Sequence, residues 1–243
     1  MTAEATSSPS FPRAPIGFLL LAALTAILMC STLYAIFFVA PVEMQMGIVQ
    51  KIFYFHVPSA YAMYIGFGLC VVGSAVFLAK QSDAWESVAV AGAEVGSMFC
   101  LIVIITGPLW ARKAWGTYWT WDPRLTTTLL IGMVYVAYLL LRNLGTVGEA
   151  ERKFAAGLGT LGGALMPIIH YSVQLWRGQH PTVITKKGGG LHPDMGMALG
   201  LAFATFTALA ILLIWARARA ERDRQRVVML ELDAAELGVL EET

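Results

Sequence analysis

Charge is what this sequence has least of. Only 14% of its 243 residues are Asp, Glu, Lys or Arg, where a soluble domain carries about 25%. With 57% hydrophobic residues and a mean hydropathy of +0.65, a water-soluble fold of this size would lack the polar surface to cover itself. The shortage excludes a soluble enzyme, a disordered chain and a nucleic-acid binder, and it leaves a polytopic membrane protein. The net charge of +1 carries no information about acidic partners. Cysteine is scarce too. Cys30, Cys70 and Cys100 each fall in an apolar stretch and form no CxxC pair. That excludes a disulfide framework, a zinc pattern and a CxxCH site for covalent haem attachment, and the three thiols read as small apolar core residues.

The few charges punctuate the chain into long neutral runs. Twenty-nine uncharged residues separate Arg13 from Glu43, and 28 separate Lys51 from Lys80. Val95 to Ala111 is a run of 17, extended back through Val88 to Ala93 if Glu94 is tolerated. Leu125 to Leu141 is again 17, Phe154 to Trp176 is 23, and Met195 to Ala216 is 22. About 20 apolar residues at 1.5 Å rise cross a 30 Å hydrocarbon core, and in lipid a lone segment satisfies its backbone only as a helix. The expected fold is therefore an all-α integral membrane protein, a six-helix transmembrane bundle. The first run is about twice the length of a signal-peptide core, which favours a retained anchor over a cleaved leader.

Six spans put both termini on one side. Ten of the 17 Lys and Arg residues fall on the terminal side and seven on the other, so the positive-inside rule places both termini in the cytoplasm. Three segments are expected: a cytoplasmic tail over 1–15, the six-helix domain over 16–216, and a cytoplasmic tail over 217–243. The last tail holds Arg217, Arg219, Arg222, Arg224 and Arg226, followed by an apolar and acidic stretch from Val227 to Leu240 that reads as a helix against a partner or solvent. The outer loop between spans five and six, Arg177 to Asp194 with Lys186, Lys187 and glycines 188 to 190, reads as a flexible external segment. Gly92 with Gly96 and Gly159 with Gly163 have small-xxx-small spacing, which serves close helix crossings within the chain or with a partner helix.

Histidine occurs four times. His56 lies at the outer start of span two and His170 at the outer end of span five, with Pro58 and Pro167 to bend their helices. Two imidazoles at matched depth can ligate one metal ion or haem iron. His180 and His192, beside Pro181 and Pro193, read as solvated loop residues. On the same outer face, 110–124 concentrates Trp110, Trp115, Trp119 and Trp121, four of the seven tryptophans. An aromatic belt would spread such residues over several helix ends. Flat indoles gathered in one loop make a shelf for a large planar ligand, and Arg124 and Lys51 can meet carboxylates on it. Asp122-Pro123 is a turn signal that shapes the loop.

The segment Trp115-Gly-Thr-Tyr-Trp119-Thr-Trp121-Asp122 resembles the WWD signature of the haem-handling proteins of cytochrome c biogenesis. With Lys51-Ile-Phe-Tyr-Phe-His56-Val-Pro58, Thr106-Gly-Pro-Leu-Trp110 and Pro167-Ile-Ile-His170-Tyr-Ser-Val173, the layout over about 16–216 is similar to that of its six-helix branch, the haem exporter protein C (CcmC) family. The resemblance implies a transient, non-covalent haem b site facing the periplasm at the bacterial inner membrane. It implies His56 and His170 as axial ligands, Trp115, Trp119 and Trp121 with Asp122 around the macrocycle, and Arg124 with Lys51 on the propionates. It further implies a delivery subunit rather than an enzyme, one that passes haem to a periplasmic haem chaperone. Its partners would be the membrane and ATPase subunits of an ABC transporter and a small single-helix membrane subunit.

Two other readings compete. A b-type cytochrome membrane anchor would transfer electrons through a bis-His haem, but it needs no tryptophan loop. A proton- or substrate-coupled transporter would use Glu94, but it needs further intramembrane polar groups.

Overall fold

The computed structural model describes residues 14–144, 148–180 and 190–237. Lys186, Lys187, Gly188 and Gly189 of the outer loop, most of the N-terminal tail and the last residues of the C-terminal tail lie outside them. Six helical spans are long and apolar enough to cross a membrane, and no strand occurs among the described residues. Helix α1 (Ile16–Tyr34) runs on through a widened turn, Ala35–Val39. A tight turn at Ile48–Ile52 leads into α2 (Phe53–Lys80). Then follow α3 (Asp83–Trp115) and α4 (Pro123–Leu144). The fifth span is two helices, α5 (Glu149–Gly162) and α6 (Leu165–Trp176), and α7 (Pro193–Glu236) is a single rod.

Glycine sets the closest crossing. A Cβ on Gly66 of α2 would lie 2.6 Å from the backbone of Gly96 on α3, and one on Gly92 would lie 2.6 Å from the Gly66 carbonyl. Where apolar burial gives no advantage over lipid, such backbone contact is what holds helices together. Gly159 meets Ser74 and Cys70 of α2, and Gly163 meets Val71. Both glycine pairs are thus used inside the chain. Tyr135 of α4 is fully buried, stacks on Phe67 at 3.9 Å and donates its hydroxyl to the Gly159 carbonyl at 3.1 Å. One ring thereby joins α2, α4 and α5. Helix α1 is joined to α7 by a hydrogen bond between Thr32 and Thr205 at 2.7 Å, in a setting where water offers neither hydroxyl an alternative.

Cys70 and Cys100 are buried as expected, but Cys30 is exposed on α1. That span packs mainly on α7 and turns its other residues outward, so even a thiol in an apolar run need not reach a core. Helix α7 continues without a break past residue 216 to Glu236, and the basic residues from Arg217 onward decorate the same helix.

Glu94 is paired within the chain. Arg217 of α7 grips both oxygens of its carboxylate, one contact measuring 2.7 Å. The bidentate guanidinium–carboxylate pair ties α3 to α7. At the same end of the bundle Glu86, 3% exposed, accepts from Arg142 of α4 at 2.9 Å, from Arg152 of α5 at 2.9 Å and from Gln225 of α7 at 3.2 Å. One carboxylate therefore ties four helices. Its place in the first turn of α3, facing Arg142 in the last turn of α4, suits both helix dipoles.

Candidate functional site

The opposite end of the bundle carries the histidines and tryptophans. His56 sits one turn into α2, against α3. Its Nδ1 lies 2.9 Å from Thr106 Oγ1. The Thr106 hydroxyl donates its only proton to the Ile102 carbonyl at 2.6 Å, so towards His56 it accepts. The imidazole therefore keeps its proton on Nδ1 and leaves the Nε2 lone pair free, the form a metal-binding histidine requires. Gly107, the next residue, leaves room for the ring: a Cβ there would be 3.3 Å from His56 Cε1.

The ring that faces His56 belongs to His180, not to His170. The two ring centres are 6.5 Å apart and the planes differ by 28°. A first-row metal sits about 2 Å from an imidazole nitrogen, so two imidazoles on one iron hold their centres roughly 6 Å apart. His170 instead packs edge-on to Tyr171 at 4.9 Å and lines a groove with Tyr61, Tyr64, Met166 and Pro167. The expectation that His180 is a solvated loop residue is corrected: it is half-buried and held from two directions.

Asp122 supplies the first hold. It is buried; its Oδ1 accepts from the Arg124 amide at 2.9 Å and its carbonyl from the Thr126 amide at 2.9 Å, which starts α4. Its Oδ2 accepts from the Gln179 amide at 2.6 Å, so the residue before His180 is fastened to the tryptophan loop. The approach depends on Gly178, where a Cβ would lie 2.5 Å from Asp122 Oδ2. The turn-shaping role expected of Asp122 holds and extends to a second loop.

Arg124 supplies the second hold. Its Nη1 donates to His180 Nδ1 at 3.3 Å and its Nη2 to the His170 carbonyl at 3.1 Å. A guanidinium only donates, so His180 accepts on Nδ1 and its neutral ring keeps its proton on Nε2. The Arg124 Nε is buried without a partner, as are Trp119 Nε1, Thr120 Oγ1 and Thr126 Oγ1. Orphaned polar atoms are few in a native fold, and these four fall within eight residues, two in the loop and two in the first turn of α4.

The tryptophans divide into two pairs. Trp110 and Trp115 meet edge-to-face at 5.7 Å at the end of α3, which Gly116 terminates in a left-handed conformation (φ +76°). Trp119 and Trp121 meet edge-to-face at 5.8 Å in the short loop before α4, with Trp121 77% exposed. The loop proper is thus 116–122, because 110–115 is helical.

Lys51 is not part of this arrangement. It is 6% exposed, and its ammonium donates to the Ile36 carbonyl and, at 3.1 Å, to the Ala40 carbonyl. The widened turn ending the first span leaves carbonyls without helical donors, and Lys51 satisfies them. The charge expected on a ligand carboxylate is already spent on backbone. No signal in the sequence distinguished the two uses.

A family described as Heme exporter protein C matches residues 6–232. The chain is similar to the heme exporter protein C of Bradyrhizobium diazoefficiens, with 37% identity over 172 residues, 70% of this chain and 64% of that protein. Against the Escherichia coli K12 protein of the same name it is 33% identical over 141 residues, 58% of each chain. Against the Haemophilus influenzae protein it is 31% identical over 141 residues, 58% of this chain and 57% of the other. The chain thus spans less than two thirds of the length of these relatives.

Proposed function

We infer function from a premise of kinship: the chain belongs to the heme exporter protein C family. It is a multi-pass membrane protein that binds haem non-covalently at its outer, periplasmic face and passes it to a periplasmic haem chaperone during cytochrome c maturation. It works beside the membrane and ATPase subunits of an ABC-type complex and a small single-helix subunit, and it catalyses no reaction itself. Both termini and the Glu86 end face the cytoplasm, consistent with the bias of Lys and Arg.

The observation that carries this reading is the facing pair His56 and His180, 6.5 Å between ring centres, beside the tryptophan loop. His56 Nε2 is one axial ligand, oriented by Thr106. His180 is the second, which replaces His170 in that role. Trp115, Trp119 and Trp121 line the macrocycle. Arg124 receives a propionate, with Asp122 keeping it and His180 in register. Arg124 has donors beyond those given to His180 and the His170 carbonyl, its buried Nε among them, so it could receive a propionate while still holding His180, whose ring would have to turn to present a nitrogen to iron. An exposed Trp121 suits delivery to an external acceptor better than electron transfer, which favours a haem enclosed between helices.

The test is an absorption spectrum of the purified protein. A Soret band is expected for the wild type, with a shifted and weakened band for His56→Ala and for His180→Ala. A wild-type protein without the band, or both variants indistinguishable from it, overturns the assignment.

A further inference from the structure

The broken fifth span leaves an opening that the site above does not use. Pro167, in the first turn of α6, has no N–H to give to the carbonyl four residues back, that of Gly163, and its ring crowds that carbonyl. Around it the chain tightens to three-residue hydrogen bonds, Gly163 to Thr160 at 3.1 Å and Ala164 to Leu161 at 3.0 Å. The direction changes there. Helix α5 packs on α2 through Gly159 and Gly163, whereas α6 leans on α4.

Between α2 and α6 the divergence leaves a shallow, open groove of about 430 Å³ lined by Tyr61, Tyr64, Met166, Pro167, His170 and Tyr171. Tyr61 and Tyr64 lie five and eight residues past His56, roughly 8 and 12 Å further along α2 at 1.5 Å per residue. The groove is therefore on the flank of the bundle, within the apolar band of span two. His170 is exposed in it, and among the described residues its ring nitrogens have no hydrogen-bond partner. An imidazole in such a place is costly unless it has a use. Arg124, outside this lining, donates to the carbonyl of His170 and also holds His180.

We propose that this groove is a membrane-side subsite that takes a carboxylated metallo-tetrapyrrole from the outer half of the bilayer and hands it to the His56–His180 site. The proposal rests on the haem-binding reading above. The ligand class follows from three groups on this flank: aromatic side chains for a flat macrocycle, an imidazole for the metal, and the neighbouring Arg124 guanidinium for a carboxylate. A lipid chain needs neither of the last two, and a quinone has no carboxylate. The handover is a ligand exchange at iron. The His170 lone pair leaves as another imidazole lone pair arrives, and neither an electron nor a bond of the macrocycle changes hands.

The full chain in lipid nanodiscs is mixed either with phosphatidylcholine vesicles preloaded with haemin or with haemin bound to albumin, and growth of the Soret band is followed by stopped flow. His170→Ala, and separately Met166→Trp, which fills the groove, are expected to slow loading from vesicles by about 10-fold. Loading from albumin and the final band at saturation are expected to match the wild type. Unchanged vesicle rates in both variants, equal slowing from both sources, or loss of the final band in His170→Ala each overturn the proposal while leaving the haem-binding reading intact. A wild-type chain without a Soret band overturns both.

Discussion

A Thr106→Val change keeps the shape of the side chain and removes the acceptor that holds the His56 proton on Nδ1. Partners one step removed from a metal typically contribute 10–100-fold to its affinity. Soret titration of the purified protein is therefore expected to show haem affinity reduced by about 10-fold or more. Thr106→Ser, which keeps the hydroxyl, is expected to stay close to wild type. Asp122→Asn tests the clamp on the neighbouring loop, because a neutral amide oxygen is a weaker acceptor for the Gln179 amide than a carboxylate. Haem dissociation, followed by transfer to apomyoglobin, is expected to speed up, and Gly178→Ala is expected to do the same by pushing Asp122 aside. Equal off-rates in all three proteins would detach His180 from that clamp. His180 itself escaped the sequence because it follows the end of a helix and precedes a proline, the setting of a solvated loop. Its burial depends on a bond to Asp122, 57 positions away from Gln179, and no local pattern registers such a bond. Lys51 shows the converse: a lone cation near an outer loop looks available until its backbone acceptors, the Ile36 and Ala40 carbonyls, are known.

Among the elements, the span count and the rough extent of each span were legible, because hydropathy and length are what lipid selects for. The break at Gly163–Ala164 was only hinted at by Pro167, and the four-helix convergence on Glu86 was not visible at all. Scattered arginines counted towards orientation carry no sign of a shared partner. Removing one member of a buried ion pair leaves the other uncompensated, at a cost of about 3–5 kcal/mol. Glu86→Gln is accordingly expected to lower the thermal midpoint in nanodiscs markedly. Because the network is at the far end of the bundle, the Soret spectrum of whatever folds is expected to be unchanged. At the α2–α3 crossing, Gly66→Ala forces a Cβ to 2.6 Å from the Gly96 backbone, and overpacking of that kind costs about 1–3 kcal/mol. Reduced folded yield by size-exclusion chromatography is the expected result, with Gly190→Ala, which meets nothing within 4 Å, as the control.

At the scale of the whole molecule the chain is polarised, with a charge-knotted end and a histidine–tryptophan end separated by apolar helix. A reporter placed within 116–122 is expected to be periplasmic, and one after Glu236 cytoplasmic; a cytoplasmic signal from the first would turn the molecule over and refute the external site. Helix α7 bears on this polarity in a mechanical way. Its 44 residues make a rod of about 66 Å, more than twice the hydrocarbon thickness. Arg217 and Gln225 pin it to α3 through Glu94 and Glu86. Beyond the pins its last turns carry exposed Val227, Met229, Leu230 and Leu232. The segment beyond the pins thus presents an apolar edge outside the bundle, while the part before them packs on α1, α2 and α3.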